Sequence, residues 1–128
     1  MAPSLQYFKE ASAAKLELYA DNKDIFIGDV VTSITDDPQA PITSGFFDVE
    51  KGAKSTATFG FSEVKYVISG DIVFSDGNGQ RVVAKAGEVV YIPKGATITF
   101  ESEQGGKAFY VAQRLLNQAK RASFTSRL

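Results

Sequence analysis

The chain has 128 residues, a formal net charge of −1, and no histidine or cysteine. The lack of cysteine excludes disulfides, thiol nucleophiles and zinc–thiolate sites, and a near-neutral charge without a basic run argues against nucleic acid as a partner. No apolar stretch nears the about 20 residues that a membrane-spanning helix needs, and we expect residues 1–128 to form a single domain with its own core.

The first part of the chain gives mixed signals. Residues 11–18 have helical composition, whereas residues 16–19 alternate like a strand, and both interpretations stay open. Residues 25–34 are rich in β-branched and aromatic side chains and predict a strand, with Gly28 as a bulge. Two further strands are predicted at 43–49 and 55–59.

In the second half of the chain, residues typical of turns recur at short intervals. Asp76-Gly77-Asn78-Gly79 separates two β-forming runs, 71–75 and 81–84, and such Asp-Gly and Asn-Gly pairs favour hairpin turns. Pro93 ends the next run, 88–92, because proline has no N–H for a sheet ladder. The remaining predicted elements are a strand at 97–100, a turn at 105–106, a strand at 107–112 and a short helix at 113–122. Short strands between close turn signals indicate an all-β sandwich or barrel.

Two short signatures in this half resemble the two motifs of the cupin family. The first is Glu63 followed by Tyr66-Val67-Ile68-Ser69-Gly70, and the second is the run GEVVYIPKG at 87–95. The resemblance implies an all-β fold, the cupin double-stranded β-helix or jelly-roll barrel. It places the barrel core at about residues 43–112, and a short C-terminal helix and tail at 113–128.

Within the cupins, the chain is similar to the EutQ-like, ethanolamine-utilization group and to related small RmlC-like proteins. The run Ser44-Gly45-Phe46-Phe47, together with Thr58, Phe61 and the first signature, carries this similarity. The resemblance is informative about fold more than about chemistry, because one fold hosts many functions.

The absence of histidine bears on metal binding. A metal-binding cupin carries two histidines before its glutamate and one after the second signature, and transition metals favour such imidazole ligands. A single carboxylate among hydroxyl and apolar side chains does not hold zinc or iron, so we predict no metal and no cofactor, with an oxygen-ligated Mg²⁺ or Ca²⁺ as a minor alternative. The histidine positions fall on Thr56 and Thr58, or with a spacing one residue shorter on Ala57 and Phe59, and on Ile98.

The resemblance places Glu63 inside the barrel, and alternate side chains of a strand share one face. Lys65 would then point inward beside Glu63, as would Ser69. We predict Glu63 and Lys65 as catalytic residues, with Glu63 as the general acid or base and Lys65 as the partner of a substrate carboxylate or carbonyl. A solvated ion pair of no catalytic consequence is the plainer interpretation. The predicted ligand-lining residues are Thr56, Thr58, Ile98 and Phe100.

Two functions are therefore open. The first is a metal-independent lyase, dehydratase, isomerase or cyclase that acts on a small organic acid or carbonyl compound inside the barrel. The alternative is a non-catalytic EutQ-like cupin that binds a ligand or another protein. In both cases we expect a homodimer that uses the N-terminal strand, because an exposed sheet edge needs covering, and we expect no nucleic acid or membrane partner.

The last three residues, Ser126-Arg127-Leu128, resemble the peroxisomal tripeptide Ser-Lys-Leu with arginine in place of lysine. We therefore predict an intracellular protein that is peroxisomal if this tripeptide is read by its receptor and cytoplasmic if the match is a chance one. A working signal would imply a eukaryotic source.

Overall fold

The computed structural model describes residues 2–19 and 22–115 of the chain. This part contains a 3₁₀ turn at Ala11–Ala13 and nine β-strands. The strands are β1 (Glu17–Tyr19), β2 (Asn22–Thr32), β3 (Thr43–Val49), β4 (Lys54–Thr58), β5 (Glu63–Asp76), β6 (Arg81–Lys85), β7 (Val89–Ile92), β8 (Thr97–Glu101) and β9 (Gly106–Ala112). Among the described residues, no helix is long and apolar enough to cross a membrane.

The strands form two antiparallel layers that share the long strand β5. Residues 63–70 of β5 pair with β9 and β7, and this first layer continues through β3 and β2 to β1. Residues 71–76 pair with β6 and β8, and β8 pairs with β4 to complete the second layer. The layers curl into the predicted all-β jelly-roll barrel because one strand belongs to both.

The passage of β5 between the layers depends on Gly70. Its φ is 67°, a left-handed conformation that favours glycine. A Cβ at Gly70 would overlap the carbonyl of Gly105, so the two backbone segments touch without room for a side chain. Beyond the bend, Asp71 accepts hydrogen bonds from the Ser102 hydroxyl at 2.9 Å and from the Glu103 N–H at 3.1 Å. These contacts fix the start of the second layer.

The barrel interior is filled mainly by aromatic rings. Phe100 is fully buried at its centre and makes edge-to-face contacts with four other rings. Their centroids lie 5.2 to 6.4 Å from that of Phe100, and the partners are Tyr19, Phe47, Phe59 and Phe74. Such close packing leaves the interior tight, so any polar group inside it is held out of water.

The structure confirms the predicted hairpin between β5 and β6, in which Asp71 lies opposite Lys85 and Ser75 lies opposite Arg81. It resolves the ambiguity near the N-terminus in favour of strand β1, and only Ala11–Ala13 of the predicted helical stretch is helical, as a 3₁₀ turn. The predicted bulge at Gly28 is wrong in position, because Gly28 pairs regularly with Phe46 and the register shifts after Asp29.

The predicted C-terminal helix is wrong for residues 113–115, which form a bend and an irregular segment. The backbone there is instead tied to the barrel, since Gln113 donates its N–H to the Ser62 carbonyl at 3.0 Å. The rest of that helix and the tripeptide 126–128 lie outside the described residues, so peroxisomal targeting stays a prediction.

Replacing Gly70 by alanine is expected to destabilise the barrel more than replacing Gly87. Both glycines have positive φ, 67° and 91°, which costs an L-residue about 1–2 kcal/mol. Nothing lies within 4 Å of a Cβ at Gly87, whereas one at Gly70 would meet backbone. In urea denaturation we expect Gly87→Ala to lose about 1–2 kcal/mol and Gly70→Ala more than about 3 kcal/mol. Equal losses would contradict the close approach of the strands at Gly70.

Candidate functional site

A buried ion pair lies at the start of β5. The Lys65 Nζ is 2.6 Å from the Glu63 Oε2, and the two residues are 1% and 3% exposed. Both side chains point into the barrel, as the alternation of the strand predicts. The structure therefore shows the predicted pair and its direction, while the catalytic roles of the two residues stay predictions.

Aromatic rings surround the ammonium group of Lys65. Its Nζ lies 3.9 Å from the ring centroid of Phe47, 4.8 Å from that of Tyr110 and 5.7 Å from that of Phe100. The ring faces attract the cation, but the rings also exclude water. Burial lowers the pKa of Lys65, and the adjacent Glu63 carboxylate opposes that shift. The amine is thus easier to deprotonate than a surface lysine, with a proton acceptor in contact.

A second buried ion pair lies nearby and connects β2 to the segment after β9. Arg114 donates through Nη2 to the Asp29 Oδ1 at 2.7 Å and through Nη1 to Oδ2 at 2.9 Å. The Tyr110 hydroxyl donates to the same carboxylate, and Thr43 donates its hydroxyl to the Arg114 carbonyl at 2.6 Å. This fork geometry fixes both planar groups. The Arg114 side chain is fully buried, so Asp29 supplies the opposite charge that its burial requires.

Tyr110 joins the two ion pairs. Its ring centroid lies 4.8 Å from the Lys65 Nζ and 5.2 Å from the Arg114 Cζ. Burial, and then the negative charge of Asp29, raise the pKa of Tyr110, so its hydroxyl stays protonated and acts as a donor. Burial and the Glu63 charge likewise raise the pKa of Tyr19. These two ion pairs therefore combine two acidic and two basic side chains whose charges balance, beside two neutral phenols.

The structure brings only part of the predicted ligand lining inside. Ile98 and Phe100 are buried, at 6% and 0% exposure. Thr56 and Thr58 do not point inward, and their predicted place in the cavity wall is wrong. Their hydroxyls form hydrogen bonds of 2.8 Å with Thr99 and with Thr97 on the barrel exterior.

The threonines point outward because β4 follows the other spacing that the sequence allowed. Ala57 packs against the core and Phe59 is 3% exposed, so these two residues occupy the inner face. The predicted inward direction of Ser69 is also wrong, since the register of β5 shifts between Val67 and Ser69 and turns Ser69 to the exterior. A bulge reverses the faces of the residues that follow it.

The residues present do not fit a cupin metal site. The inner-face positions that would carry histidines hold Ala57, Phe59 and Ile98, which have no ligand atoms. Glu63 alone offers oxygen there, and Lys65 already occupies that carboxylate. Within residues 2–19 and 22–115, no group of three or more carboxylate, histidine or cysteine side chains could hold an ion.

The sequence analysis did not identify Asp29, Arg114 or Tyr110 as site residues. The signal for Asp29 was strand parity, because Ile25 and Ile27 point inward and Asp29 continues that series. Arg114 likewise continues the inward series of Tyr110 and Ala112 beyond the end of β9. Opposite charges at inward parity in two neighbouring segments were the available indication of a buried pair.

A pocket of about 380 Å³ opens between the β5–β6 hairpin and β7. Neither Glu63 nor Lys65 lines it. Ile92 lines it and lies directly opposite Glu63 in the sheet, with no exposed surface. Side chains directly opposite in an antiparallel pair point to the same face, so Ile92 both lines the pocket and lies beside Glu63 on the inner face of the sheet. The other lining residues include Phe74, Asp76, Val90, Ala96 and Ile98.

This barrel has the cupin fold. An RmlC-like cupin from Shewanella frigidimarina superposes with a TM-score of 0.63 over 84% of this chain and 90% of that one, at 15% identity. The chain belongs to the EutQ family, because the family model described as ethanolamine utilisation protein EutQ matches residues 8–115.

Two relatives show the extent of the likeness. The acetate kinase EutQ of Escherichia coli K12 is 34% identical over 79 residues, which are 62% of this chain and 33% of that protein. The match thus spans about a third of the E. coli protein. The crystal structure of a putative ethanolamine utilization protein Q from Salmonella typhimurium LT2 covers 70% of this chain and 68% of its own, with 29% identity and a TM-score of 0.60.

Removing one partner of the Glu63–Lys65 pair is expected to lower the free energy of unfolding more than removing both partners. Lys65→Met leaves a buried carboxylate unpaired and should lower the free energy of unfolding by about 3–5 kcal/mol. Adding Glu63→Leu should restore most of that loss, because an apolar replacement of a buried pair is close to neutral. Urea denaturation measures both.

The half-exposed pair of Lys107 and Asp48, at 3.4 Å, provides a control. Lys107→Met should cost less than about 1 kcal/mol, as solvent-screened pairs do. A Lys65→Met loss no larger than the Lys107→Met loss would show that the Glu63–Lys65 pair is not held out of water.

Proposed function

We propose that this protein is a metal-independent enzyme that acts on a small carbonyl compound or organic acid, as a lyase, dehydratase, isomerase or cyclase. The observation that carries the proposal is the 2.6 Å contact between Lys65 and Glu63 inside the barrel, at 1% and 3% exposure. A desolvated amine in contact with a carboxylate is suited to covalent and acid–base catalysis.

With a carbonyl substrate, the chemistry begins by proton transfer within the pair. The Lys65 ammonium gives one proton to Glu63, and the neutral amine then attacks the carbonyl carbon. Glu63 passes that proton and a second one from the nitrogen to the carbonyl oxygen, which leaves as water. An iminium ion remains that retains the third proton of the ammonium. The Glu63 carboxylate can then remove a proton from the adjacent carbon.

With an organic acid, Lys65 binds as an ammonium instead. The substrate carboxylate forms an ion pair with the Lys65 ammonium in place of Glu63. The Glu63 carboxylate is then free to accept or donate a proton. The surrounding rings of Phe47, Phe100 and Tyr110 favour small substrates, because they leave the interior tightly packed. The E. coli relative is described as an acetate kinase, and acetate is a small organic acid, which supports this substrate class.

Access to the pair is proposed to run through the 380 Å³ pocket beside Ile92. Pockets of this size, apolar with a few polar groups, are usual for small ligands. Movement of the Ile92 side chain would join the pocket to the carboxylate of Glu63, which lies opposite it in the register.

Reductive trapping tests the proposed role of Lys65. The protein would be incubated with acetaldehyde, pyruvate and related small aldehydes and keto acids, treated with borohydride, and mapped by peptide mass spectrometry. We expect modification at Lys65 in preference to exposed lysines such as Lys85 and Lys94, because burial lowers the pKa of Lys65. Glu63→Gln should slow trapping by about 10²-fold or more, the usual contribution of a general acid–base group.

Lys65→Arg, which keeps the charge but cannot form the imine, is the matched control and should abolish the modification. If Lys65 stays unmodified with every carbonyl compound, or if Glu63→Gln reacts as fast as the wild type, the proposed covalent route is wrong.

A non-catalytic binding protein is the second candidate. The observation that favours it is that Glu63 and Lys65 do not line the described pockets. In that case ligands of the same panel would raise the melting temperature without trapping or turnover.

A further inference from the structure

The pocket beside Ile92 contains one charged side chain. Among the described residues that line this pocket of about 380 Å³, only Asp76 is charged. Asp76 follows Phe74 by two residues, so both side chains point to the same face of β5. It also lies directly opposite the buried Ile98 of β8. The carboxylate therefore lies on the same side of the sheet as these two core residues, in the wall of the pocket.

The β5–β6 turn uses only one oxygen of this carboxylate. The Oδ1 of Asp76 accepts the N–H of Asn78 at 2.9 Å and the N–H of Gln80 at 3.0 Å. Within residues 2–19 and 22–115, no donor reaches its Oδ2 and no lysine or arginine lies within ion-pair distance of it. The acidic side chains of the two buried ion pairs differ in this respect, because each contacts a basic partner. Asp76 is half-buried, and its second oxygen is available to a ligand.

The wall opposite the hairpin is mainly apolar and offers no positive charge. It includes Val82, Val90, Ile92 and Ala96. Arg81 precedes Val82 in β6, so its side chain points to the other face of the sheet, and no described lysine or arginine lines the pocket. An anionic ligand would meet the Asp76 carboxylate without a compensating cation. An organic cation would find an opposite charge next to apolar surface.

We propose that this pocket binds a small organic ammonium compound, with the ammonium group on Asp76 and an apolar body against Ile92 and Ile98. A charge-assisted N–H···O hydrogen bond to the Oδ2 would fix the ammonium end. The volume of about 380 Å³ is at the lower end of the range for small-molecule sites. It is larger than a bare ammonium ion needs, and it leaves room for an apolar body such as one ring.

The ammonium site also narrows the substrate class of the enzyme, an extension that rests on the function proposed above. With the ammonium group on Asp76, the other end of the ligand points toward Ile92, which lies opposite Glu63 in the register. The substrates that fit are carbonyl compounds that also contain an amino group. A substrate with a carboxylate next to Asp76 is disfavoured by like charge. Binding itself depends on the pocket alone and does not require Lys65 to react.

A comparison of three head groups on one ring tests the proposal. The full chain would be titrated at neutral pH and constant ionic strength with benzylamine, benzyl alcohol and benzoate, and the backbone amide resonances followed by NMR. We expect the benzylammonium ion to shift the amides of Val82, Val90 and Ile92. It should bind about 10-fold or more tightly than benzyl alcohol, because hydrogen bonds to a charged group are the stronger ones. Benzoate should bind more weakly than benzyl alcohol.

Asp76→Asn removes the charge and keeps an oxygen that can accept the N–H groups of Asn78 and Gln80. In this variant we expect the benzylammonium ion and benzyl alcohol to bind equally. Glu88→Gln is the matched control, because Glu88 also accepts a backbone N–H in a turn, that of Lys85 at 2.8 Å, but is exposed and does not line the pocket. It should bind all three compounds as the wild type does.

The head-group comparison in the wild type needs no variant, so the proposal stays testable even if Asp76→Asn does not fold. A benzylammonium ion that binds no more tightly than benzyl alcohol would overturn it. So would a preference that survives Asp76→Asn, a preference that Glu88→Gln loses equally, or shifts confined to another surface. Trapping at Lys65 without an ammonium preference contradicts only this site, whereas an ammonium preference without trapping supports the site and contradicts only the covalent route.

Discussion

The burial of charge inside an aromatic barrel is the constraint on which the rest of this structure depends. An isolated ion in such an interior costs several kcal/mol, so each charge needs a partner at contact distance. Glu63 and Lys65 satisfy each other on one strand, at 2.6 Å. Asp29 and Arg114 satisfy each other between two segments that are 85 residues apart. The two pairs together carry no net charge, and that balance permits these four charged side chains to lie in the interior.

The same arrangement explains how the end of β9 is held. Arg114 follows the last strand, and its side chain is fully buried against Asp29 while its carbonyl accepts a hydrogen bond from Thr43. Residues 113–115 are therefore held against the barrel by an ion pair and by hydrogen bonds. Tyr110 connects this ion pair to the Lys65 ammonium through its ring and its hydroxyl.

Much of the fold follows from local chemistry that a sequence displays directly. Glycine and proline mark the ends of the strands, and the pair Asp76-Gly77 signals the β5–β6 hairpin. The inward direction of Glu63 and Lys65 follows from the alternation of side chains along a strand, once the direction of one of them is known.

The outward direction of Thr56 and Thr58 could not be predicted in this way, because a spacing one residue longer or shorter exchanges the two faces of β4. The outward direction of Ser69 was not predicted for a similar reason, because a bulge precedes it in β5. The partnership of Asp29 with Arg114 exists only in the folded chain, where β2 and the segment after β9 meet.

The most direct test of this account is the titration of the lysine side chains by NMR, with the ε-carbons labelled. The account predicts one lysine that titrates below all the others, because burial lowers the pKa of Lys65, and its resonance should be missing from Lys65→Met. Such a result would establish a desolvated amine inside the barrel, beside a carboxylate. If every lysine titrates together near the usual value of about 10.4, then Lys65 is solvated and the proposed acid–base site does not exist.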